Sequence, residues 1–555
     1  MDLTRRQLYN GCMKKQTILL CLALSGSAAF CAATADAGLV ANGVVVNGDK
    51  IQKLEKKSFS DGLAVRYKLP AGKRRITGED TVWTLPLDAK VWYQAGRGAD
   101  FVDYEAPYTA TTVKDIPDGQ LISLPITAKL ADGTYRLLTE ANVVDYTDSA
   151  VVYKGEGRFA VHYYADLRGF DQEGADTTPW RVTLVAKDLQ TLATSDIVRR
   201  LCPNPPAGRA KAVASRFAPA GRCIWHWLPM GDPRLEEQRG WYDKTRELGF
   251  EYYLIDEGWR KWGDDETRWQ KLKEVIDYGK SVGVKTFIWV DSKEMRNPEE
   301  TRAYLAKTVA AGAVGIKIDF FPKANYGMMK RYEQLLQATY DAGLRVDFHG
   351  CVKPSGREKT WPHEIAREAI RGHEWHITRY RRVLPASHDT ILPFNRLVQG
   401  HGDYTPLVFN PKELIHFTWA RQLAQPIVFS CPFLCFGDYP ANYLSNPAVD
   451  FVKDLRAVYD ETKILPGSEI GECVAVAKRA KDRWFVAIEN GEKDREIEIE
   501  FSFIKKPMKV EAFGDSEDGA LDAYRTESYV VRPGDRRKVS VRGFGGYAAR
   551  LAPVR

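Results

Sequence analysis

Cysteine is sparse in this 555-residue chain: nine in all, with only Cys202, Cys223, Cys351, Cys431, Cys435 and Cys473 beyond the first forty residues. Six dispersed thiols do not make a disulfide framework. Cys431 and Cys435 lack the spacing and histidine partners of a zinc site, so they read as packing residues. Long apolar runs are also lacking; the stretch 17–33 is broken by Ser and Gly and is too short to span a bilayer. No basic block occurs either, since 80 Lys and Arg against 73 Asp and Glu give a net charge of +7 spread along the chain. That distribution argues against a nucleic-acid partner. There is no serine nucleophile elbow, no HExxH and no glycine-rich phosphate loop, which leaves acyl and phosphoryl transfer without support.

The first forty residues have the composition of an export signal. Lys14 and Lys15 precede the apolar stretch, and Ala33-Thr34-Ala35 or Ala35-Asp36-Ala37 offers a small-residue cleavage site, with Met13 as an alternative start. Phe30 before Cys31 disfavours a lipoprotein site. We therefore expect a signal over 1–37 and export to the periplasm or beyond the cell. The mature protein is expected to have no membrane span, and no obligate protein partner is evident.

Residues 38–207 alternate apolar and polar residues in short runs, as in 63–69, 88–93 and 135–140, with Asp61-Gly62, Asp118-Gly119 and Asp132-Gly133 as turn signals. This predicts an N-terminal β-sandwich. After Pro205-Pro206 strands and helices alternate about every 30 residues: strands over 223–227, 252–256, 285–290, 315–319 and 344–348, helices over 235–248, 269–282, 298–311 and 326–342. Eight such units fit 208–462 as a (β/α)8 TIM barrel. Alternation returns in 463–555, which predicts a C-terminal β-sandwich. The fold class is thus multidomain, α/β and β.

The barrel strand Gly315-Ile316-Lys317-Ile318-Asp319 places Lys317 and Asp319 on one face of an apolar segment. Burying such charges is costly unless the strand end opens into an active site. Asp256 with Trp259, Asp291, His349, and the pairs Arg367-Glu368 and His373-Glu374 follow the neighbouring strands in the same way. In a barrel these ends converge on one mouth. Carboxylates with Trp and His in one pocket suit glycoside hydrolysis, in which one acid protonates the leaving oxygen and another carboxylate attacks or directs water.

Several segments, in order, resemble glycoside hydrolase family 97. They are Asp103-Tyr104-Glu105-Ala106-Pro107-Tyr108, Leu138-Thr139-Glu140-Ala141, Thr178-Pro179-Trp180-Arg181-Val182, the strand with Asp319, Val346-Asp347-Phe348-His349-Gly350, Arg367-Glu368 with Arg371-Gly372-His373-Glu374, and Leu392-Pro393-Phe394-Asn395-Arg396 followed by Gly402-Asp403-Tyr404. The resemblance implies sandwich, barrel and sandwich, cleavage of terminal α-linked galactose or glucose from an oligosaccharide or glycoside, and a calcium ion beside the sugar. Retaining members carry an aspartate where Asp319 stands. Inverting members lack it and use a glutamate at the place of Gly350. The resemblance therefore implies retention, with Asp319 as nucleophile, Glu374 as acid/base and their carboxyls roughly 5 Å apart.

It also places calcium among Glu140, Glu368 and Glu374, oxygen donors that suit this ion better than zinc. Lys317 is expected to hold the pKa of Asp319 low, whereas the pocket of Glu374 should raise its pKa. Asp256 and Trp259 resemble the strand-two signature of α-galactosidase-like barrels, the acid holding sugar hydroxyls and the ring lining the pocket. Lys317 is a further candidate for sugar hydroxyls. Asp291 is a weaker one, and His349 either touches sugar or orients a carboxylate. Exo-acting α-galactoside hydrolysis is the expectation, with α-glucoside or β-L-arabinopyranoside cleavage on the same site, or a silent glycan-binding protein, as alternatives.

Overall fold

The computed structural model describes residues 37–377 and 383–554. Apart from Ala37, the expected export signal lies outside the described residues. The N-terminal region forms two seven-stranded antiparallel sheets. Their shared core is built from inward residues of strands such as Tyr135–Ala141 and Trp180–Ala186, which pair so that Glu140 faces Arg181. Three short helices, Leu189–Thr194, Ile197–Arg200 and Arg209–Arg216, lead to the barrel.

Seven parallel strands form the barrel: β1 (Gly221–Trp225), β2 (Tyr252–Ile255), β3 (Lys285–Asp291), β4 (Gly315–Asp319), β5 (Arg345–Phe348), β6 (Glu364–Arg367) and β7 (Phe433–Phe436). They run in the order β6-β5-β4-β3-β2-β1-β7. The expected eighth strand is absent among the described residues. Its place is taken by the irregular segment 402–409, where the Tyr404 carbonyl accepts from His373 N and the Pro406 carbonyl accepts from Gly437 N. The periodic helices around β4 have the caps their sequence supplies. Asn297 accepts from two backbone N–H groups at the start of Pro298–Ala311, and Asn325 does so once for Tyr326–Ala342. Each helix ends on a left-handed glycine, Gly312 or Gly343.

A six-stranded antiparallel sheet and a two-stranded ribbon form the C-terminal part, beginning with Glu461–Ile464. The buried helix Trp419–Val428 packs the barrel against this sheet. Among the described residues no helix is long and apolar enough to cross a membrane.

Candidate active site

Parallel register decides which side chains share the barrel mouth. Lys317 of β4 is level with Trp289 of β3 and Asp347 of β5, and Asp319 is level with Asp291. Alternation then turns Trp289, Lys317, Asp319, Asp347 and His349 to the same interior. Lys317 is 2% exposed; its ammonium donates to Asp256 at 3.1 Å and lies 4.3 Å from the centre of the Trp225 ring. Asp256 also accepts from the Trp225 indole at 2.7 Å. Burial alone would discharge Lys317, but Asp256, Asp319 and Asp403 outweigh it and hold the ammonium well above its ordinary pKa.

The Asp319 carboxylate accepts from the Trp289 indole at 2.9 Å and from Phe320 N at 2.7 Å. Contrary to expectation, its pKa is raised: burial pushes it up, and His349 and Lys317 only partly pull it back. His349 bridges two acids, with Nε2 at 3.0 Å from Asp403 and Nδ1 at 3.1 Å from Glu368. Burial disfavours the imidazolium, yet Glu368 and the bond to Asp403 hold its pKa well above the ordinary value. Glu368 also accepts from Gly350 N at 2.7 Å. Burial and the neighbouring Glu368 push Glu374 up to about 7.

Gly350 leaves room for the Asp319 carboxylate and the Phe320 backbone beside the end of β5. Its φ is +48°, and a Cβ built on it would lie 2.8 Å from Oδ1 of Asp319. A side chain at position 350 and the aspartate in its present place exclude one another.

Among the described residues, two groups of side chains have the donor geometry to hold a cation. Glu105, Glu368 and Glu374 offer oxygens within 4.8 Å of one another, and Asp347, His349 and Asp403 do likewise. In the second group His349 is already shared between Asp403 and Glu368, with Lys317 nearby. The first group is all oxygen. Burial and the charges of Glu368 and Glu374 drive Glu105 well above the usual carboxylate range. A divalent ion would relieve that crowding, and its oxygen donors suit calcium.

Glu140, expected as a ligand with Glu368 and Glu374, is not in this group. It is fully buried, accepting from Lys353 and from Ser149 Oγ at 2.6 Å and from Arg181. Two cations and a hydroxyl occupy its oxygens, and it joins the sandwich to the barrel through Lys353. Glu105, within the segment already singled out by resemblance, stands beside Glu368 and Glu374.

Trp259 also departs from expectation. It is 0% exposed, donates to the Trp289 carbonyl at 3.0 Å and packs edge-on to Trp269. Following Gly258, it turns into the core; the indoles that reach the charged groups are Trp225 and Trp289. Asp291 accepts from Lys293 N at 2.9 Å and so caps the short helix Ser292–Met295. Asp403 and Trp289 had no assigned role from sequence, although their places at inward strand and loop positions are visible once register is known.

Three family descriptions match the chain: Glycosyl-hydrolase 97 N-terminal over 40–204, Glycoside hydrolase 97 over 230–370, and Glycosyl-hydrolase 97 C-terminal, oligomerisation, over 458–552. A probable retaining alpha-galactosidase of Streptomyces bingchenggensis is 29% identical over 88% of this chain and 75% of its own length. A retaining alpha-galactosidase of Bacteroides thetaiotaomicron is 25% identical over 92% and 85%. Among solved structures, a family 97 enzyme from Pseudoalteromonas sp. strain K8, in complex with acarbose, superposes with a TM-score of 0.80 at 21% identity, covering 90% of this chain and 85% of that one. With its N-terminal, catalytic and C-terminal regions all matched, the chain belongs to glycoside hydrolase family 97 and is a glycosidase.

Proposed function

We propose that this enzyme is an exo-acting, retaining α-galactosidase that holds calcium and acts after export. One observation carries the mechanistic part: the Asp319 carboxylate fills the space that any side chain at position 350 would need. A base in that position could not coexist with Asp319 as placed, so direct attack by Asp319 is the chemistry this arrangement favours. The names of the Streptomyces and Bacteroides relatives support galactose as the sugar released.

In the first step an Asp319 oxygen attacks the anomeric carbon while Glu374 gives its proton to the leaving oxygen. The resulting glycosyl ester is opened by water, which Glu374, now a carboxylate, deprotonates as Asp319 departs. Burial, the largest cause of the upward shift of Glu374, favours the protonated form that the first step needs, whereas a calcium charge nearby would favour the carboxylate that the second step needs. The indole N–H of Trp289 fixes one Asp319 oxygen, and Phe320 N the other. Asp256 and Lys317, locked together, present an acceptor and a donor to sugar hydroxyls. Calcium, held by Glu105, Glu368 and Glu374, would supply positive charge against the sugar oxygens.

Proton NMR of the anomeric signals during hydrolysis of an aryl α-galactoside, with Asp319→Gly plus azide alongside, tests the reaction. The expected first product is the α-sugar, and the rescued product is the β-galactosyl azide. If the β-sugar forms first, Asp319 is not the nucleophile. A panel of nitrophenyl glycosides separates galactose from glucose and L-arabinopyranose; dominant glucosidase activity would overturn the galactose assignment. For the metal, titration calorimetry should give Glu105→Gln a calcium affinity at least about tenfold below that of the native chain. Unchanged affinity removes Glu105 from the ligand set.

A further inference from the structure

Glu374 stands on a short 3-10 turn, His373–His376. A proton donor works only if its carboxyl is kept within about 0.5 Å of the productive place, so so short a turn has to be held from outside. Two anchors do this, one on each side of Glu374. Before it, His373 N donates to the Tyr404 carbonyl at 2.9 Å. Gly372 permits that approach, since a Cβ built on it would lie 2.8 Å from the same carbonyl oxygen. After it, the fully buried His376 ring meets the Asp389 carboxylate at 3.2 Å and stands edge-on to Phe417, with ring centres 4.8 Å apart.

Both anchors lead to one place in the C-terminal domain. Asp389 accepts from Arg421 at 2.9 Å. Arg421, on the helix Trp419–Val428, also pairs with Glu489 at 3.0 Å, donates to the Asn490 carbonyl and packs its guanidinium 4.4 Å from the centre of the Phe417 ring. On the other side, Tyr404 stacks on Phe429 at 3.9 Å, and its hydroxyl accepts from Gln425 Nε2 at 3.3 Å. The same Gln425 nitrogen lies 3.2 Å from the Glu489 carboxylate, to which it donates. Glu489 and Asn490 end the strand Arg483–Asn490 of the six-stranded sheet. Asp389, Arg421, Gln425 and Glu489 are all fully buried. Buried charges of this kind are a poor source of stability, because desolvation offsets their attraction. What they supply is a fixed arrangement, since a shift of any member leaves a buried charge unpaired.

We propose that Asp389 and Glu489 are positioning residues for Glu374, so that the C-terminal domain is part of the support of the proton donor. They hold the turn His373–His376 where the Glu374 carboxyl reaches the leaving oxygen, and they act through His376 and Tyr404 without meeting the sugar. This role rests on Glu374 being the acid/base.

The test uses kcat/KM, which reads the first chemical step. Methyl α-galactoside needs a proton on its leaving oxygen in that step, whereas α-galactosyl fluoride departs without one. Asp389→Asn and Glu489→Gln should each lower the methyl-to-fluoride ratio of kcat/KM about tenfold, and Glu374→Gln should lower it about a hundredfold or more. General damage to the fold lowers both substrates together, so a ratio unchanged in both variants overturns the proposal. In the Glu374→Gln background neither substitution should change the ratio further; a further tenfold loss there overturns it as well. Glu489→Gln, a near-isosteric change in the C-terminal sheet, carries the test where Asp389→Asn does not fold. If Glu374→Gln keeps the native ratio, the acid assignment itself fails and the proposal with it. If the native enzyme cleaves neither galactoside, the galactose assignment fails, and the same ratio is read with methyl α-glucoside and α-glucosyl fluoride, where an unchanged ratio again overturns the proposal.

Discussion

Lys353 offers a sharp test of how the two large domains are joined. It lies three residues beyond Gly350, is 2% exposed, and donates to Glu140 at 2.6 Å, to Tyr104 Oη at 3.1 Å and to Asp148. Glu140 pairs in turn with Arg181, which pairs with Glu79 at 2.7 Å. Lys353→Met leaves Glu140 and Asp148 buried with one cation fewer. Removing one partner from such a buried set costs about 3–5 kcal/mol.

Part of that cost depends on pH in a calculable way. Burial raises Asp148 from 3.8 to about 6 although Lys353 lowers it. A raised carboxyl makes the fold bind the extra proton, so stability falls as pH rises from 3.8 to about 6 in the native protein. Without Lys353 the folded pKa of Asp148 moves further up, and the fall continues to a higher pH. At pH 5 both proteins hold that proton. The deficit of Lys353→Met should therefore be smaller at pH 5 than at pH 7. Urea unfolding followed by tryptophan fluorescence, with hydrogen exchange over 135–153 and 345–353, measures it. Adding Asp148→Asn should recover about 1–2 kcal/mol at pH 7 and abolish the pH difference. Equal deficits at both pH values with no coupling to Asp148 would refute the reasoning.

Gly350→Ala forces a Cβ to within 2.8 Å of Asp319 Oδ1 at a left-handed φ; we expect kcat on α-galactosyl fluoride to fall about a hundredfold, as displaced reacting groups do, while stability drops by about 1 kcal/mol. An unchanged kcat would show that Asp319 is not confined by this position. Lys478 is buried at the junction with the C-terminal sheet, donating to the Val428 carbonyl at 3.1 Å and Ser430 Oγ at 2.8 Å, and burial lowers its pKa from 10.5 to about 7. The unfolded chain then binds the extra proton between about pH 7 and 10.5, so the ammonium weakens the fold most at or below pH 7. Lys478→Met should stabilise by about 2–4 kcal/mol at pH 6 and much less at pH 10, read as melting temperature against pH.

What the sequence determined by itself was everything set by local rules. Alternation and helical periodicity marked sandwich, barrel and sandwich, and capping residues such as Asn297, Gly312, Asn325 and Gly343 fixed the helices around β4 almost to the residue. The pairing of Lys317 with Asp319 on one strand face was legible for the same reason, since strand period needs no partner. Decisions between segments distant in the chain belonged to the tertiary structure. Glu140 and Glu105 are both acids in family-like motifs, and only packing shows that Lys353 and Arg181 consume the first while the second meets Glu368 and Glu374. Trp259 and Trp289 are equally plausible aromatics at strand ends; register turns one into the core and the other onto Asp319. The irregular segment in place of an eighth strand and the net upward shift of Asp319 are likewise sums over neighbours many residues away. Local conformation follows from short-range sterics and hydrogen bonds, whereas burial and charge environment depend on which distant side chains arrive at the same place.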